Sequence, residues 1–344
     1  MGLFDGYDKM RGSSAEIAGL LGIPVVLVLN AKSTAYSVAP VLHGFKHFYP
    51  GIRVVGAIFN FVASESHYAY LRGACEDVGI EALGYIPKDE GIVIPSRHLG
   101  LSIDGSCCFD EFANRVAEVI AKTVNVERLL EICTTDFLAC GVNGDAERGK
   151  MKIAVARDEA FNFMYRENIG ALEREGEVVY FSPLHDTVLP EADLIYLPGG
   201  YPELFLAELS GNEGMKQALR AYCEAGGRVL AECGGMMYLC ESIAGTNGVA
   251  YPMVGILSRE ATMEPMKLKL GYREVVLDGK AIRGHEFHYS RVKPGTEEVA
   301  RVGEVYNAKG GRVDTPVYRY KNVIASYVHF YWGERGMEIG RAHV

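Results

Sequence analysis

Short, continuously apolar runs alternate with helix-like segments in the first third of the chain. The runs occupy residues 23–29, 54–59 and 82–86, and amphipathic segments at 34–48 and 65–78 stand between them. A strand that is apolar along its whole length is buried on both faces, which is typical of a parallel sheet covered by helices. The alternation therefore predicts a doubly wound α/β fold, whose ligands bind beyond the carboxyl ends of the strands.

A second series of strand-like and helix-like segments begins at Met151. Strands are predicted at 152–156, 178–181, 194–197 and 228–231, helices at 161–175 and 214–225, and a strand-rich tail at 282–289, 312–320 and 322–332. A polar, glycine-containing stretch separates the two series. We therefore predict a domain over residues 1–140, a linker over 141–150 and a second domain over 151–338.

The composition is that of a globular protein and excludes several classes of function. Hydrophobic residues make up 49% of the 344 residues, and the apolar runs are too short to span a membrane. The net charge of −9 leaves no basic footprint for nucleic acid or an anionic membrane. Eight cysteines form no C-x-x-C pair, and no histidines cluster at metal-ligand spacing. We expect a cytoplasmic protein with reduced thiols, no metal site within this chain, no nucleic-acid partner and no membrane anchor.

The stretch RVLAECGGMMY, residues 228–238, predicts a nucleophile on a tight turn. Its apolar start indicates a buried strand, two glycines form the turn, and an apolar helix follows. The N–H groups at the start of a helix lower the pKa of a thiol placed at the tip, here that of Cys233. Gly234 and Gly235 lack the β-carbons that would block a substrate. The alternative is that Cys233 is a small buried hydrophobe.

Three further segments carry side chains that such a nucleophile can use. The strand at 194–197 leads into two glycines, which can present a backbone N–H to an oxyanion. The strand at 322–332 carries His329, a possible base for the thiol. The segment GHEFHYS places His285 and His288 on one strand, where we expect them to share a face. Such a pair binds a metal, contacts substrate carboxylates or has only a structural role.

Together, GGYPE, AECGGMMYL and SYVHF resemble the glutamine amidotransferase domain of the cobyrinic acid and cobyric acid synthase family. Upstream, MGLFDG, GAIFNFVASESH and LGYIPKDEGIVIPSRHLGL resemble the second half of that family's ATP-binding domain. The resemblance implies a partial P-loop, dethiobiotin synthetase-like parallel-sheet domain followed by a class I glutamine amidotransferase-like α/β domain. It also implies that Cys233 is the nucleophile, His329 its base, and the N–H groups of Gly200 and Gly234 the oxyanion donors.

The resemblance implies a ligase that takes glutamine as its amido donor and, in the complete family enzyme, ATP and Mg²⁺ as cofactors. The chain most resembles members that amidate the a and c acetate groups of the corrin cobyrinic acid, in vitamin B12 biosynthesis. The alternatives are the same reaction on nickel-sirohydrochlorin, amidation of four other side chains, and a non-catalytic binding module. His285 and His288 would face the tetrapyrrole, and Asn60, Pro87 and Asp89 the nucleotide. A homodimer is one possible assembly.

The ATP half departs from the family pattern. The family's P-loop and its magnesium-binding glutamate would lie before Met1, so we expect residues 1–140 to be the C-terminal portion of a truncated synthetase domain. The segment GDAERGK at 144–150 matches the spacing of a P-loop, but Met151 and a strand follow where Ser or Thr and a helix are needed. We interpret this segment as linker.

The amidotransferase half departs from the pattern near its end. Class I amidotransferases usually carry Glu two residues after the catalytic histidine, whereas this chain has Tyr331 at that position. The group that orients His329 is therefore unidentified from the sequence. Residues 339–344 do not match the family's closing helix, and we expect them to be a non-native tail.

Overall fold

The computed structural model describes residues 2–93, 96–97, 100–101, 109–136, 149–295 and 297–333. The chain divides into two compact units, Met1–Gly141 and Val142–Val344. Residues 141–148 of the predicted linker and the predicted tail at 339–344 lie outside the described residues. Within the described ranges, no helix is long and apolar enough to cross a membrane.

The first unit is built around a parallel sheet. Its helices and strands are α1 (Ser14–Leu21), β1 (Pro24–Asn30), α2 (Ala39–His47), β2 (Arg53–Val62), α3 (Glu65–Val78), β3 (Glu81–Pro87), β4 (Ser96–Arg97), β5 (Gly100–Leu101), α4 (Phe109–Thr123) and α5 (Val126–Cys133). Strands β1, β2 and β3 pair in that order, all parallel. Side-chain caps set where two helices begin, because Ser13 accepts from Glu16 N and Ser64 accepts from His67 N. The predicted parallel α/β architecture is confirmed.

The second unit contains a larger set of elements. They are β6 (Met151–Ala156), α6 (Arg166–Glu175), β7 (Gly176–Phe181), β8 (Leu194–Leu197), α7 (Leu206–Gly211), α8 (Glu213–Glu224), β9 (Arg228–Glu232), α9 (Gly234–Leu239), β10 (Cys240–Ala244), β11 (Ala250–Pro252), β12 (Leu257–Thr262), β13 (Lys269–Leu277), β14 (Lys280–His288), β15 (Arg291–Pro294), β16 (Ala300–Arg301), β17 (Glu304–Asn307), β18 (Val317–Tyr320), β19 (Val323–Ser326) and β20 (His329–Phe330).

The central sheet of this unit has the order β16-β18-β19-β9-β8-β6-β7 among the described residues. The strands from β19 to β7 are parallel, and β18 and β16 extend the sheet in antiparallel fashion. Two further sheets have the orders β11-β10-β12-β15 and β17-β13-β14-β20. Because β8, β9 and β19 are parallel neighbours, their carboxyl ends meet at one edge of the central sheet.

Strand β8 shows why the middle of this sheet is rigid. All four of its residues are buried. Leu194 and Tyr196 belong to one hydrophobic cluster, and Ile195 and Leu197 belong to another. Alternate side chains of a strand point to opposite faces, so both faces of the sheet are covered. The turns that follow the central strands therefore start from fixed positions.

The prediction of one continuous strand over 322–332 is wrong. Val323–Ser326 pairs with β9 in the central sheet, whereas His329–Phe330 pairs with β14 in a different sheet. The hydroxyl of Ser326 accepts from Val328 N at 3.2 Å and donates to Pro316 O at 3.0 Å, which fixes the bend between the two segments. The bend carries the chain across the carboxyl edge of β9.

Candidate active site

Cys233 occupies a strained turn between β9 and α9. Its φ of 45° and ψ of −102° lie in a region that L residues rarely adopt, and such strain concentrates at functional sites. Gly235 permits the tight turn, because a β-carbon there would lie 2.2 Å from Leu197 O. The N–H of Gly235 donates to Pro198 O at 3.0 Å. The predicted strand, turn and helix around Cys233 are confirmed.

The two glycines predicted as oxyanion donors are in contact. A β-carbon on Gly234 would lie 3.0 Å from Gly200 N and 3.1 Å from Gly200 O. The N–H of Gly234 is directed at the sulfur of Cys233. At Gly200 itself, a β-carbon would lie 2.0 Å from Ala160 O, so only glycine fits there. Two backbone segments from different strands thus converge beside the nucleophile.

His329 reaches the same edge of the sheet from β20. Cys233 N donates to Ser326 O at 2.8 Å, which places the chain leading to His329 next to the nucleophile. The imidazole packs on the backbone of Gly199, where a β-carbon would lie 2.3 Å from Cε1 of the ring. His329 is buried, and its ring contacts the ring of Phe163 with a centroid separation of 4.6 Å.

Glu232, the residue before the nucleophile, is a buried carboxyl group that sequence analysis did not single out. One of its oxygens accepts from Tyr196 OH at 3.0 Å and lies 4.0 Å from Nδ1 of His329. The other accepts from Phe330 N at 3.2 Å. Glutamate is rarely buried without a partner, so its place at the end of an apolar strand was the available signal.

Asn168 is a second group that the sequence analysis missed. It lies on α6, is fully buried, and its Nδ2 donates to Phe330 O at 2.8 Å. Its Oδ1 accepts from Trp332 N, also at 2.8 Å. Asn168 therefore holds the backbone immediately after His329 at two points. The signal in the sequence was an asparagine on the same buried face as Ala171 and Leu172.

The expectation that His285 and His288 share a face is wrong. Residues three apart on a strand point to opposite faces. His285 faces the candidate site, with its ring centroid 4.9 Å from that of His329 and Tyr165 OH 3.5 Å from its nitrogens. His288 is buried on the other face, where Nε2 lies 2.9 Å from Oε1 of Glu286. The structure therefore brings His285, and not His288, to the site.

Glu286 is the centre of a buried polar network behind the site. It receives hydrogen bonds from Arg273 Nε and from the hydroxyl of Thr315, each at 2.8 Å. Burial by itself raises the pKa of this carboxyl group, but the hydrogen bonds from His288, Thr315 and Arg273 outweigh burial and lower the pKa to about 2. Glu286 is therefore a satisfied carboxylate that fixes β14, the strand that carries His285.

Burial sets the charge state of the nucleophile and the base. It raises the pKa of the Cys233 thiol, the carboxyl group of Glu203 raises it further, and the Gly234 N–H opposes the rise. The net direction is opposite to the one expected from the helix N-terminus alone, because desolvation is the larger effect. Burial and the neighbouring His285 lower the pKa of His329 to about 3. The resting site therefore pairs a neutral thiol with a neutral imidazole.

The residues predicted to bind a nucleotide lie at the carboxyl edge of the sheet in the first unit. Asn60 was expected to end its strand, but β2 continues for two more residues beyond it. Its side-chain oxygen accepts from the next N–H, that of Phe61, at 2.9 Å. Pro87 ends β3, and Asp89 accepts from Gly91 N at 2.7 Å. Both acceptor side chains therefore stabilise local turns.

Comparison with known proteins adds an independent result. The sequence-family model of the CobB/CobQ-like glutamine amidotransferase domain matches residues 152–337 of this chain. The cobyrinate a,c-diamide synthase of Salmonella typhimurium is 37% identical over an alignment of 353 positions, which covers 97% of this chain and 77% of that protein. The enzyme of the same name from Caldanaerobacter subterraneus is 38% identical, and the alignment covers 96% of this chain and 75% of that protein. The enzyme of that name from Saccharolobus solfataricus is 34% identical, and the alignment covers 98% of this chain and 80% of that protein. This chain therefore belongs to the cobyrinate a,c-diamide synthase family.

Proposed function

We propose that the second unit hydrolyses glutamine with Cys233 as nucleophile, and that the ammonia serves the ATP-dependent amidation of carboxylates of a tetrapyrrole. The observation that carries the proposal is the strained turn at Cys233, set beside Gly200 and His329 at one edge of the sheet. A strained backbone costs about 1–3 kcal/mol and persists where the surrounding structure imposes it. The names of the relatives support the a and c acetate groups of cobyrinic acid as acceptors.

Glutamine hydrolysis by this arrangement has two halves. In the first, the sulfur of Cys233 attacks the side-chain amide carbon while His329 accepts the thiol proton. The C–N bond then breaks, His329 returns the proton to the departing nitrogen, and ammonia leaves a glutamyl thioester on Cys233. In the second, water attacks the thioester and gives a proton to His329. That proton returns to the sulfur as glutamate departs.

The carbonyl oxygen of glutamine gains negative charge in both halves. We assign the backbone N–H groups of Gly200 and Gly234 as the donors that stabilise it. Their contact beside the Cys233 sulfur supports this assignment. A donor of this kind typically lowers the barrier by about 3–4 kcal/mol. His285, whose ring centroid lies 4.9 Å from that of His329, is assigned to the wall of the same site.

The first unit is assigned to the synthetase half, for which the family implies ATP and Mg²⁺. In the part of the chain that the structure describes, no group of three or more His, Cys, Asp or Glu side chains could hold a metal ion. The acceptor atoms of Asn60 and Asp89 are engaged in turns. The described residues account for glutamine hydrolysis and ammonia supply, and the ATP-dependent activation of the acceptor carboxylate is inferred from the family alone. We place this reaction in the cytoplasm, which suits the free thiols of the described cysteines.

Glutamate release from glutamine, measured with and without ATP and cobyrinic acid, tests the proposal. We expect the chain to release glutamate and Cys233→Ala to lose at least 10³-fold in kcat while remaining folded. Cys223→Ala is the matched control, because Cys223 is also a buried free cysteine of this unit but lies on α8. Glutamate release by folded Cys233→Ala at the rate of the parent chain would refute the assignment. Replacing cobyrinic acid by nickel-sirohydrochlorin and measuring amide product distinguishes the two acceptors.

A further inference from the structure

We propose that Glu232 orients His329 and stabilises its protonated form, from a position in the chain directly before the nucleophile. This inference rests on the proposed glutaminase reaction. It identifies the acid that is missing two residues after His329, where Tyr331 stands. The ring of Tyr331 packs edge-on against Tyr165, with centroids 5.7 Å apart, and its N–H donates to Arg283 O. A phenol in that place does not supply a carboxylate to the imidazole.

The first observation is the unpaired nitrogen of His329. Nδ1 is buried and has no hydrogen-bond partner among the described residues. A buried polar atom without a partner costs about 1–3 kcal/mol, so its presence calls for a functional reason. An oxygen of Glu232 lies 4.0 Å from Nδ1. Catalytic hydrogen bonds are often long in ligand-free enzymes and shorten when the substrate binds, and an approach of about 1 Å closes this one.

The second observation is how the carboxyl group is held. Tyr196 OH donates to the oxygen that faces His329, and Phe330 N donates to the other oxygen. Phe330 directly follows His329, so one carboxyl group binds the backbone beside the histidine and also faces its ring. The Tyr196 hydroxyl comes from β8 and Glu232 from β9, two neighbouring strands of the buried sheet. The position of this carboxyl group is therefore set by rigid elements.

The third observation is the charge around the ring. The titratable groups that interact electrostatically with Glu232 or His329 are Tyr196 from β8, Cys233 from the turn, Tyr165 at the start of α6, and His285, Glu286 and His288 from β14. Glu286 is engaged by Arg273, Thr315 and His288 on the other face of β14. Glu232 is the carboxyl group that remains available to His329 in this set.

The charge states of Glu232 and His329 explain how the pair assists proton transfer. Burial raises the pKa of Glu232 to about 8, against the opposing hydrogen bonds from Tyr196 and Phe330 N, and burial lowers the pKa of His329 to about 3. Each pKa shift arises mainly because burying a single charge without a partner costs free energy. When His329 takes the proton of Cys233, the imidazolium and the Glu232 carboxylate lie side by side, and both costs fall. Glu232 therefore favours proton transfer from Cys233 to His329.

The test compares Glu232→Gln with the unaltered chain in glutamine hydrolysis. We expect kcat to fall by about 10²–10⁴-fold with KM changed less than threefold, because the orienting group acts on the transition state. The unaltered chain should gain activity as the pH rises through about 8, where the carboxylate forms, and the variant should lose this limb. Glu232→Asp keeps the charge and should retain intermediate activity. Glu191→Gln is the matched control, since that side chain is 88% exposed, and should leave kcat unchanged.

A second measurement does not depend on turnover. In nitrogen NMR, the signals of His329 are assigned as those lost in His329→Gln. The unaltered chain should show the tautomer with its proton on Nδ1. The Nδ1 signal should shift in Glu232→Gln. If the unaltered chain releases no glutamate, the proposed function fails, and this spectrum alone decides the Glu232–His329 pair. A proton on Nε2 in the unaltered chain overturns the inference. So does folded Glu232→Gln that keeps kcat within threefold and the same pH profile.

Discussion

Replacing Gly199 by Ala tests the position of His329 without touching a reacting group. The new β-carbon would lie 2.3 Å from Cε1 and 2.8 Å from Nδ1 of the ring. Carbon atoms in contact are separated by roughly 3.5 Å, so the ring must move by about 1 Å. The backbone of Gly199 is outside the positive-φ region that disfavours alanine. The substitution therefore acts mainly on the imidazole.

A displacement of 1 Å in a catalytic group reduces the rate by about 10²-fold, which corresponds to about 2.7 kcal/mol in the barrier. We expect Gly199→Ala to lower kcat for glutamine hydrolysis by this amount and to leave KM nearly unchanged. The ring has little room to avoid the clash, because Phe163 and His285 pack against it at centroid separations of 4.6 and 4.9 Å.

The assay is steady-state glutamate release, with the thermal midpoint measured on the same samples. Gly211→Ala serves as the control, since a β-carbon at Gly211, the last residue of α7, meets no atom within 4 Å. The control should match the unaltered chain in both measurements. If Gly199→Ala folds with an unchanged midpoint and retains kcat within threefold, the ring of His329 is not required where the structure places it, and the reasoning fails.

Three further predictions concern the framework of the site. Asn168→Ala should destabilise the second unit by about 2–4 kcal/mol in urea unfolding, because two buried backbone groups lose their partner. An unchanged midpoint of urea unfolding would contradict the role of Asn168 in holding the backbone after His329. Glu286→Gln should reduce stability by about 3 kcal/mol at pH 7, since a carboxylate with a lowered pKa stabilises the fold above its ordinary pKa. That difference should vanish as the pH falls from 4.5 toward 2, so a constant difference across this range would refute the lowered pKa. Gly235→Ala should abolish soluble expression of the folded unit, because its β-carbon would lie 2.2 Å from Leu197 O; a normally folded variant would show that the turn can relax.

Much of the site was accessible from local patterns. Fully apolar runs predicted parallel strands, and glycines after two of them predicted backbone approach, because both signals act within a few residues. The turn at Cys233 follows from those signals, whereas the contact of Gly200 with Gly234 joins two strands and is seen only in the folded chain. The faces of His285 and His288 were also within reach, since the period of a strand is two residues.

The sequence by itself determined the parallel α/β architecture, the turn that holds Cys233 and the family to which the chain belongs. The tertiary structure decided what surrounds His329. Glu232 reaches Phe330 N across 98 residues of chain, and Asn168 reaches Phe330 O across 162. No local pattern encodes which of many buried polar groups will meet after such a separation, because the meeting depends on strand order and on the bend after Ser326. The chain marks the nucleophile locally, and only folding brings its base and that base's carboxyl neighbour beside it.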